Sequence, residues 1–510
     1  MKANKIFIMG AFAAATLCGC SDSFLDVQNP TGEPLEEYYT TDAHIQEALN
    51  AAYDPLHWPD WGLDQYNALN IDAEILADDF WVGGETPNDM LNWQKLFNYA
   101  GDENNTLNSL WTVDYSGVKR CNDVLKYLEW GKDLTEENKK SYEMQARCLR
   151  VYYYNMLWHY FGNIPFYLQN LETPPYTAPQ YTADEVYNEL IVELEAIIES
   201  NVLPMRWEDS QSGRTSQAMA WMMYAEMVMY QNDESRYSKA LQGMQAIISS
   251  GKYALNPDFA NLWTEAGEWC SESIFEINYE DGNNERGWAS PLAVGGTVLP
   301  TLIAPNTWPG GDGWDKGGDG WGFLPVRVET YDMFDDADVR RDATCWDVRY
   351  LEGSENDYKK RYLDTHIWLA KYRPFTENNK DAGFDNNLNY NNNYRYYRYA
   401  ETLLNAAELC VLTGSGNAAT YLNEVRSRAG LGNIDATIDN IIEERHLEFV
   451  GEGKRYWDLV RSGKAATVLV PDAYGVRTNS WTVNKKYIPI AQAEIDAALG
   501  TLVQNEAYFN

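Results

Sequence analysis

The sequence predicts a mainly α-helical protein in which paired helices form a scaffold beneath an irregular, loop-built face. Three observations predict it. First, apolar and aromatic residues recur at helical spacing through two blocks, about 105–251 and 394–463. Second, short turns join the helices of those blocks, as in tetratricopeptide-like pairs. Third, residues 57–100 and 255–393 are rich in Trp, Asn, Asp and glycine and show little periodicity. A compact domain rarely carries that much irregular chain without a use for it.

The N-terminus comes first. Lys2 and Lys5 precede an apolar run from Ile6 to Leu17. That run falls short of the ~18 apolar residues that cross a bilayer and fits the apolar part of a secretory signal. It ends in Leu17-Cys18-Gly19-Cys20, which looks like a bacterial lipobox. The expectation is a signal peptide over 1–19 and a mature chain, 20–510, forming a single domain whose lipidated N-terminus is Cys20. A plain signal peptide with two incidental cysteines is the alternative. No later segment approaches the length of a membrane helix, so the protein is expected to be anchored by lipid rather than to span.

The first scaffold helix is expected within about 40–56. From Glu136 to Phe161, Leu149, Tyr153, Met156 and Tyr160 mark one helix face, and Gly162 with Pro165 ends it. From Thr215 to Tyr230 the chain is apolar nearly all round, with Glu226 the only charge, so that helix must be covered on several sides. A further helix runs from about Tyr237 to Ser250 and stops at Gly251. Tyr399, Leu403, Ala406 and Cys410 repeat the spacing. Ala418–Ala429 and Asn440–Ser462 complete the set, the latter interrupted near Gly451 and Gly453. Cys121, Cys148, Cys270, Cys345 and Cys410 show no CxxC spacing and read as free, buried thiols.

Composition bounds the partners. The 510 residues carry a formal charge of −36, a poor match for nucleic acid or anionic lipid and a good one for neutral or cationic ligands. Aromatic residues are abundant, with 36 Tyr and 19 Trp, so ligand chemistry based on ring faces is within reach.

Six blocks, in order, resemble the SusD-like (RagB/SusD) family of outer-membrane nutrient-binding lipoproteins. They are "SDSFLDVQNPTGE", "RCLRVYYYNMLWHYFGNIPF", "GRTSQAMAWMMYAEMVMY", "RYAETLLNAAEL" with "YLNEVRSRAGL", "EERHLEFVGEGKRYWDLVR" and "YIPIAQAEID". The last lacks one of the prolines of the family pattern. The resemblance covers the mature chain. It implies a SusD-like fold with four tetratricopeptide-like helix pairs and a variable loop face, and a lipid anchor at the cell surface. It also implies service as a lid on a SusC-like TonB-dependent transporter, capturing oligosaccharides or, in a minority of members, peptides. It implies no catalysis, and it implies internal salt bridges for Arg147, Arg395, Arg445 and Arg455.

Sugars offer C–H faces that lie on aromatic rings and hydroxyl edges that need polar neighbours. Two regions supply both. "ADDFWVGGETPNDMLNW" holds Asp79, Trp81, Asn92 and Trp93; the stretch 281–322 holds Trp288, Trp308 and Trp314. These seven residues are the expected ligand contacts. Within "NTWPGGDGWDKGGDGWG", Trp308 and Trp314 are expected at the surface and Trp321 packed into the fold. "WPDW" (58–61) and the asparagine run 376–393 are further candidates. Trp111, Trp158, Trp221 and Trp457 lie in helices and read as core.

Catalysis has little support. Asp78-Asp79 and Glu443-Glu444 are adjacent carboxylates, whereas glycosidases need two facing each other roughly 5–9 Å apart. GxSxG, HExxH and a phosphate loop are all absent, and the five His show no metal spacing. The expectation is therefore no enzyme, cofactor or metal. "DKGGDG" leaves open a structural calcium built from distant loops. Peptide capture remains the main alternative to glycan capture, and a surface glycosidase a remote one.

Overall fold

The computed structural model describes residues 33–63, 65–282 and 285–509. Ten longer helices form the scaffold: α1 (Asp42–Tyr53), α2 (Asn108–Tyr127), α3 (Glu136–Phe161), α4 (Ala183–Ser200), α5 (Gln217–Gln231), α6 (Tyr237–Ser249), α7 (Tyr399–Thr413), α8 (Ala418–Arg428), α9 (Ile438–Phe449) and α10 (Arg455–Arg461). Their ends follow local chemistry. Thr41, Thr135, Ser216 and Thr437 each cap a helix by accepting a backbone N–H from three residues on. Thr182 and Glu185 form a reciprocal capping box on α4. Gly414, Asn201 and Asn232 close α7, α4 and α5 in the left-handed conformation.

Packing runs along the chain. α2 packs on α1 and α3, and α4, α5 and α6 follow in sequence; α7 then packs on α6, α8 and α9. Gly117 lets α2 and α3 meet closely, since a Cβ there would lie 2.4 Å from the Tyr153 ring. The all-round apolar α5 is buried except at Glu226 and its last residue, Gln231. Glu226 accepts hydrogen bonds from Asn155 and the Tyr397 hydroxyl, both at 2.8 Å, so its charge is met inside the fold.

The scaffold holds the loop face through two small antiparallel sheets. β1 (Ser273–Ile277) pairs with β4 (Tyr394–Arg398), and β2 (Cys345–Asp347) pairs with β3 (Ile367–Leu369). Arg398, at the end of β4, donates to Glu272 (2.5 Å), Glu448 (3.0 Å) and Glu452 (2.8 Å). Arg428 on α8 also donates to Glu448 and Glu272. Burial pushes the Glu448 carboxyl upward, but Arg428, Arg398 and Arg340 outweigh it and hold the group well below the usual carboxylate range. This buried network ties α8, α9 and the sheet of β1 and β4 together. Arg147, Arg395, Arg445 and Arg455 pair internally with Glu193, Glu268, Asp458 and Asp78, as the family resemblance implies.

The main apolar core extends from Ile45 to Leu502. A second, smaller cluster sits within the loop face and joins Trp308, Trp314, Trp346, Val348, Tyr358 and Trp368.

Candidate functional site

Of the seven expected ligand contacts, the structure leaves one aromatic ring open. Trp288 is 42% exposed. The other four tryptophans turn inward. Trp93, on the short helix Leu91–Phe97, is fully buried; its indole N–H donates to Asp72 at 3.1 Å and its face meets the edge of Phe323. Trp81 is buried beneath the Arg327 guanidinium, 4.2 Å from its ring centroid, and against Tyr474. Asp79 is buried and bonds His446 at 2.7 Å. Asn92 is half-buried, with its amide nitrogen unpartnered among the described residues.

Trp308 and Trp314 correct the expectation of surface rings. They stack on each other at 6.4 Å within the second apolar cluster, and Trp314 is only 9% exposed. The reason is the glycines. A Cβ at Gly318 would lie 2.5 Å from the Trp314 ring, so the bare backbone closes over the indole. The loop is sealed by hydrogen bonds between Trp308 and residues 317 and 318. Trp321 is half-buried and packs against the main apolar core.

The open ring belongs to a four-ring box. Trp288 stacks on Trp321 (6.0 Å, 26°), and Trp61 stacks on Tyr66 (4.5 Å, 29°). The two pairs meet edge to face: Trp61 with Trp288 (5.5 Å, 67°) and Tyr66 with Trp321 (5.3 Å, 68°). The result is two platforms steeply inclined to each other. Trp61 belongs to the weaker "WPDW" candidate, whereas Tyr66 carries no local signal at all. Burial first, then the carboxylates of Asp60 and Asp89, pushes the Tyr66 phenol well above its usual range, so its hydroxyl keeps a proton to donate.

A buried ion pair holds the box. Asp60 and Arg286 meet at 2.6 Å, both almost fully buried. Arg286 also donates to the carbonyls of Trp61 (2.9 Å) and Pro291 (3.0 Å), and Asp60 accepts from the N–H of Trp61 (2.7 Å) and Val298 (2.8 Å). Both tryptophan loops are therefore fastened to one charge pair. The Trp288 N–H donates to Asp385 at 3.1 Å. Asn389 donates to the carbonyls of Arg286, Phe384 and Asp385. The asparagine run thus acts partly as internal cement: Asn378, Asn389, Asn392 and Asn393 are buried. Phe384, 45% exposed, adds a fifth aromatic surface beside Gly287.

Among the described residues, one group could gather metal ligands: Asp78, Asp79 and His446. Three of its four carboxylate oxygens are already engaged, Asp79 Oδ1 by His446. Arg455 grips both oxygens of Asp78 at 2.9 and 3.1 Å. Burial alone would lower the His446 pKa, but Asp79 outweighs it and the net shift is upward, favouring an imidazolium that cannot ligate. Asp315 and Asp319 of "DKGGDG" are not part of this group. Glu444 pairs with Arg340 and Arg426. Cys20 lies outside the described residues.

Comparison with known proteins adds identity to this geometry. The model of the SusD family matches residues 271–508, and one described as starch-binding associating with outer membrane matches residues 23–227. Surface glycan-binding protein A from Bacteroides uniformis is 64% identical, with a TM-score of 0.84 over 91% of this chain and 99% of its own. Surface glycan-binding protein A from Bacteroides thetaiotaomicron, solved in complex with laminarihexaose, is 55% identical, with a TM-score of 0.88 over 91% and 100%. SusD-like protein P2 of Formosa agariphila is 27% identical over 97% of each chain.

Proposed function

Since the chain belongs to the SusD family, we propose that it is a non-catalytic surface glycan-binding protein whose ligand is a β-1,3-linked glucan. It would sit at the outer membrane, held by lipid on Cys20, and pass oligosaccharides to a SusC-like TonB-dependent transporter. The observation that carries the ligand reading is the four-ring box with its open Trp288. A ring face takes the C–H face of a pyranose, and the protonated Tyr66 hydroxyl and nearby Asp385 can meet hydroxyl edges. The two platforms are inclined by 67–68°. A flat β-1,4-glucan can lie along only one such plane, whereas a β-1,3-glucan winds and can turn its residues from one plane to the next. The laminarihexaose held by the 55%-identical neighbour is a chain of that linkage.

The non-catalytic part of the reading is supported by the fate of the adjacent carboxylates. Asp78, Asp79 and Glu444 are engaged by Arg455, His446 and Arg340. The test is native affinity electrophoresis and calorimetry of the purified protein against β-1,3-glucan, β-1,4-glucan and a peptide digest. Retention by β-1,3-glucan with no release of reducing ends supports the reading. Retention by β-1,4-glucan or peptide alone overturns it.

A further inference from the structure

A cavity of about 310 Å³ lies beside Asp79 and Arg327 and shares no residue with the four-ring box. Its size is at the lower end of the ~300–1,000 Å³ typical of small-molecule sites. Asp78, Asp79, Arg327, Glu329, His446 and Asp472 line it. Most of these groups are satisfied. Asp78 is held by Arg455, and Asp79 Oδ1 by His446. Asp472 accepts from the N–H groups of Tyr474, Val476 and Arg477.

Two buried atoms are left over. Among the described residues, Asp79 Oδ2 has no hydrogen-bond partner and neither does Arg327 Nε, which lies 3.7 Å from the Glu329 carboxylate. Asp79 is 1% exposed. A buried polar group left bare is costly, so each favours an occupant that meets it. One is an acceptor and the other a donor. A hydroxyl group answers both, since it donates and accepts, and a neighbouring pair of hydroxyls can do so at once.

The charges favour a neutral occupant. Asp78, Asp79, Glu329 and Asp472 are opposed by Arg327, Arg455 and Arg477, with His446 bonded to Asp79, so charges of both signs are already matched around the cavity. Apolar surface is also present, from Val468, Val470 and Met333, to meet a C–H face. We propose that this cavity is a second ligand pocket, taking one neutral pyranose or a polyol of similar size.

The probe is D-glucose, read by saturation-transfer NMR on the full chain. Trp288→Ala with Trp321→Ala removes the box. Val470→Trp fills the cavity from a side chain that is 40% exposed, and Val470→Phe is a milder version should the first fail to fold. The double box variant is expected to keep a glucose signal, and adding the Val470 change is expected to abolish it. Val470→Trp alone is expected to leave polysaccharide retention unchanged. The proposal is overturned if the box variant shows no glucose signal, if the signal survives filling, or if glucose- and calcium-soaked crystals show only water, or a cation on Asp78, Asp79 and His446. The box fails separately, through unchanged polysaccharide retention in the double variant, while the pocket is still judged by the Val470 pair.

Discussion

Replacing Trp288 by alanine removes the most exposed ring of the four-ring box. A pyranose laid on an indole withdraws roughly 60–80 Å² of apolar surface from water, which at ~25 cal/mol per Å² is worth about 1.5–2 kcal/mol. That corresponds to a loss of affinity of about 10- to 30-fold. Base stacking on aromatic side chains, a comparable contact, is worth ~1–3 kcal/mol. The cost to folding is smaller. Trp288 gives up one stack on Trp321 and one edge contact with Trp61, worth ~0.5–1.5 kcal/mol each beyond area. In a chain of this size the melting temperature should fall by a few degrees at most.

The control is Trp93→Ala. Trp93 is fully buried and its N–H satisfies Asp72. Its loss should cost ~3–5 kcal/mol of stability and strand a buried carboxyl. Calorimetric titration with β-1,3-glucan oligosaccharides, paired with thermal unfolding of each variant, separates the two effects. The reasoning is refuted if Trp288→Ala, still folded, binds within threefold of the parent, or if Trp93→Ala keeps its melting temperature and loses binding.

Three further outcomes follow from the geometry. Burial pushes Asp458 up, but Arg445 and Arg461 overcome it and bring its carboxyl down to about 2; because this lies below its unfolded value, the stability it contributes is present above about pH 4 and lost as pH falls toward 2. Denaturant unfolding across that window should show Asp458→Asn destabilised by ~3–5 kcal/mol at neutral pH, with the gap to the parent closing as the medium is acidified. Thr182→Ala removes the exposed capping box of α4 and should cost about 1 kcal/mol in the same assay, with glucan affinity unmoved. Asp385→Ala takes away the acceptor that fixes the Trp288 N–H; β-1,3-glucan affinity should drop severalfold by calorimetry with little change in melting temperature, and Asp385→Asn, which keeps an acceptor oxygen, should restore it.

The scaffold is legible in the sequence because its signals are local. Leu149, Tyr153, Met156 and Tyr160 mark a face, and Gly162 and Pro165 end it, without reference to any other segment. Exposure of a ring is a different kind of property, settled by what arrives from elsewhere in the chain. Trp81 is covered by Arg327 and Tyr474, and Trp308 by Trp346 and Tyr358. The box likewise gathers rings from positions 61, 66, 288 and 321, a separation no local pattern spans.

Glycine density misleads for a related reason. It reads as a turn that presents indoles, yet the missing side chain equally allows backbone to close over a ring, as Gly318 does over Trp314. What sets Trp61 and Trp288 apart from Trp308 is the charge pair beneath them. Asp60 precedes Trp61 by one residue and Arg286 precedes Trp288 by two, and the two charges meet beneath the box. Charged groups are buried only when paired, so this pair draws its own side chains inward. By bonding the carbonyls of Trp61 and Pro291 it also fixes the loops, and the neighbouring rings are left on the outside. Trp308 has no such neighbour, only Pro309 and a glycine run, and its indole becomes the apolar anchor of its own loop. A charge one or two residues before a loop tryptophan, matched by an opposite charge before another, is thus a physical reason to expect the two rings together at a surface.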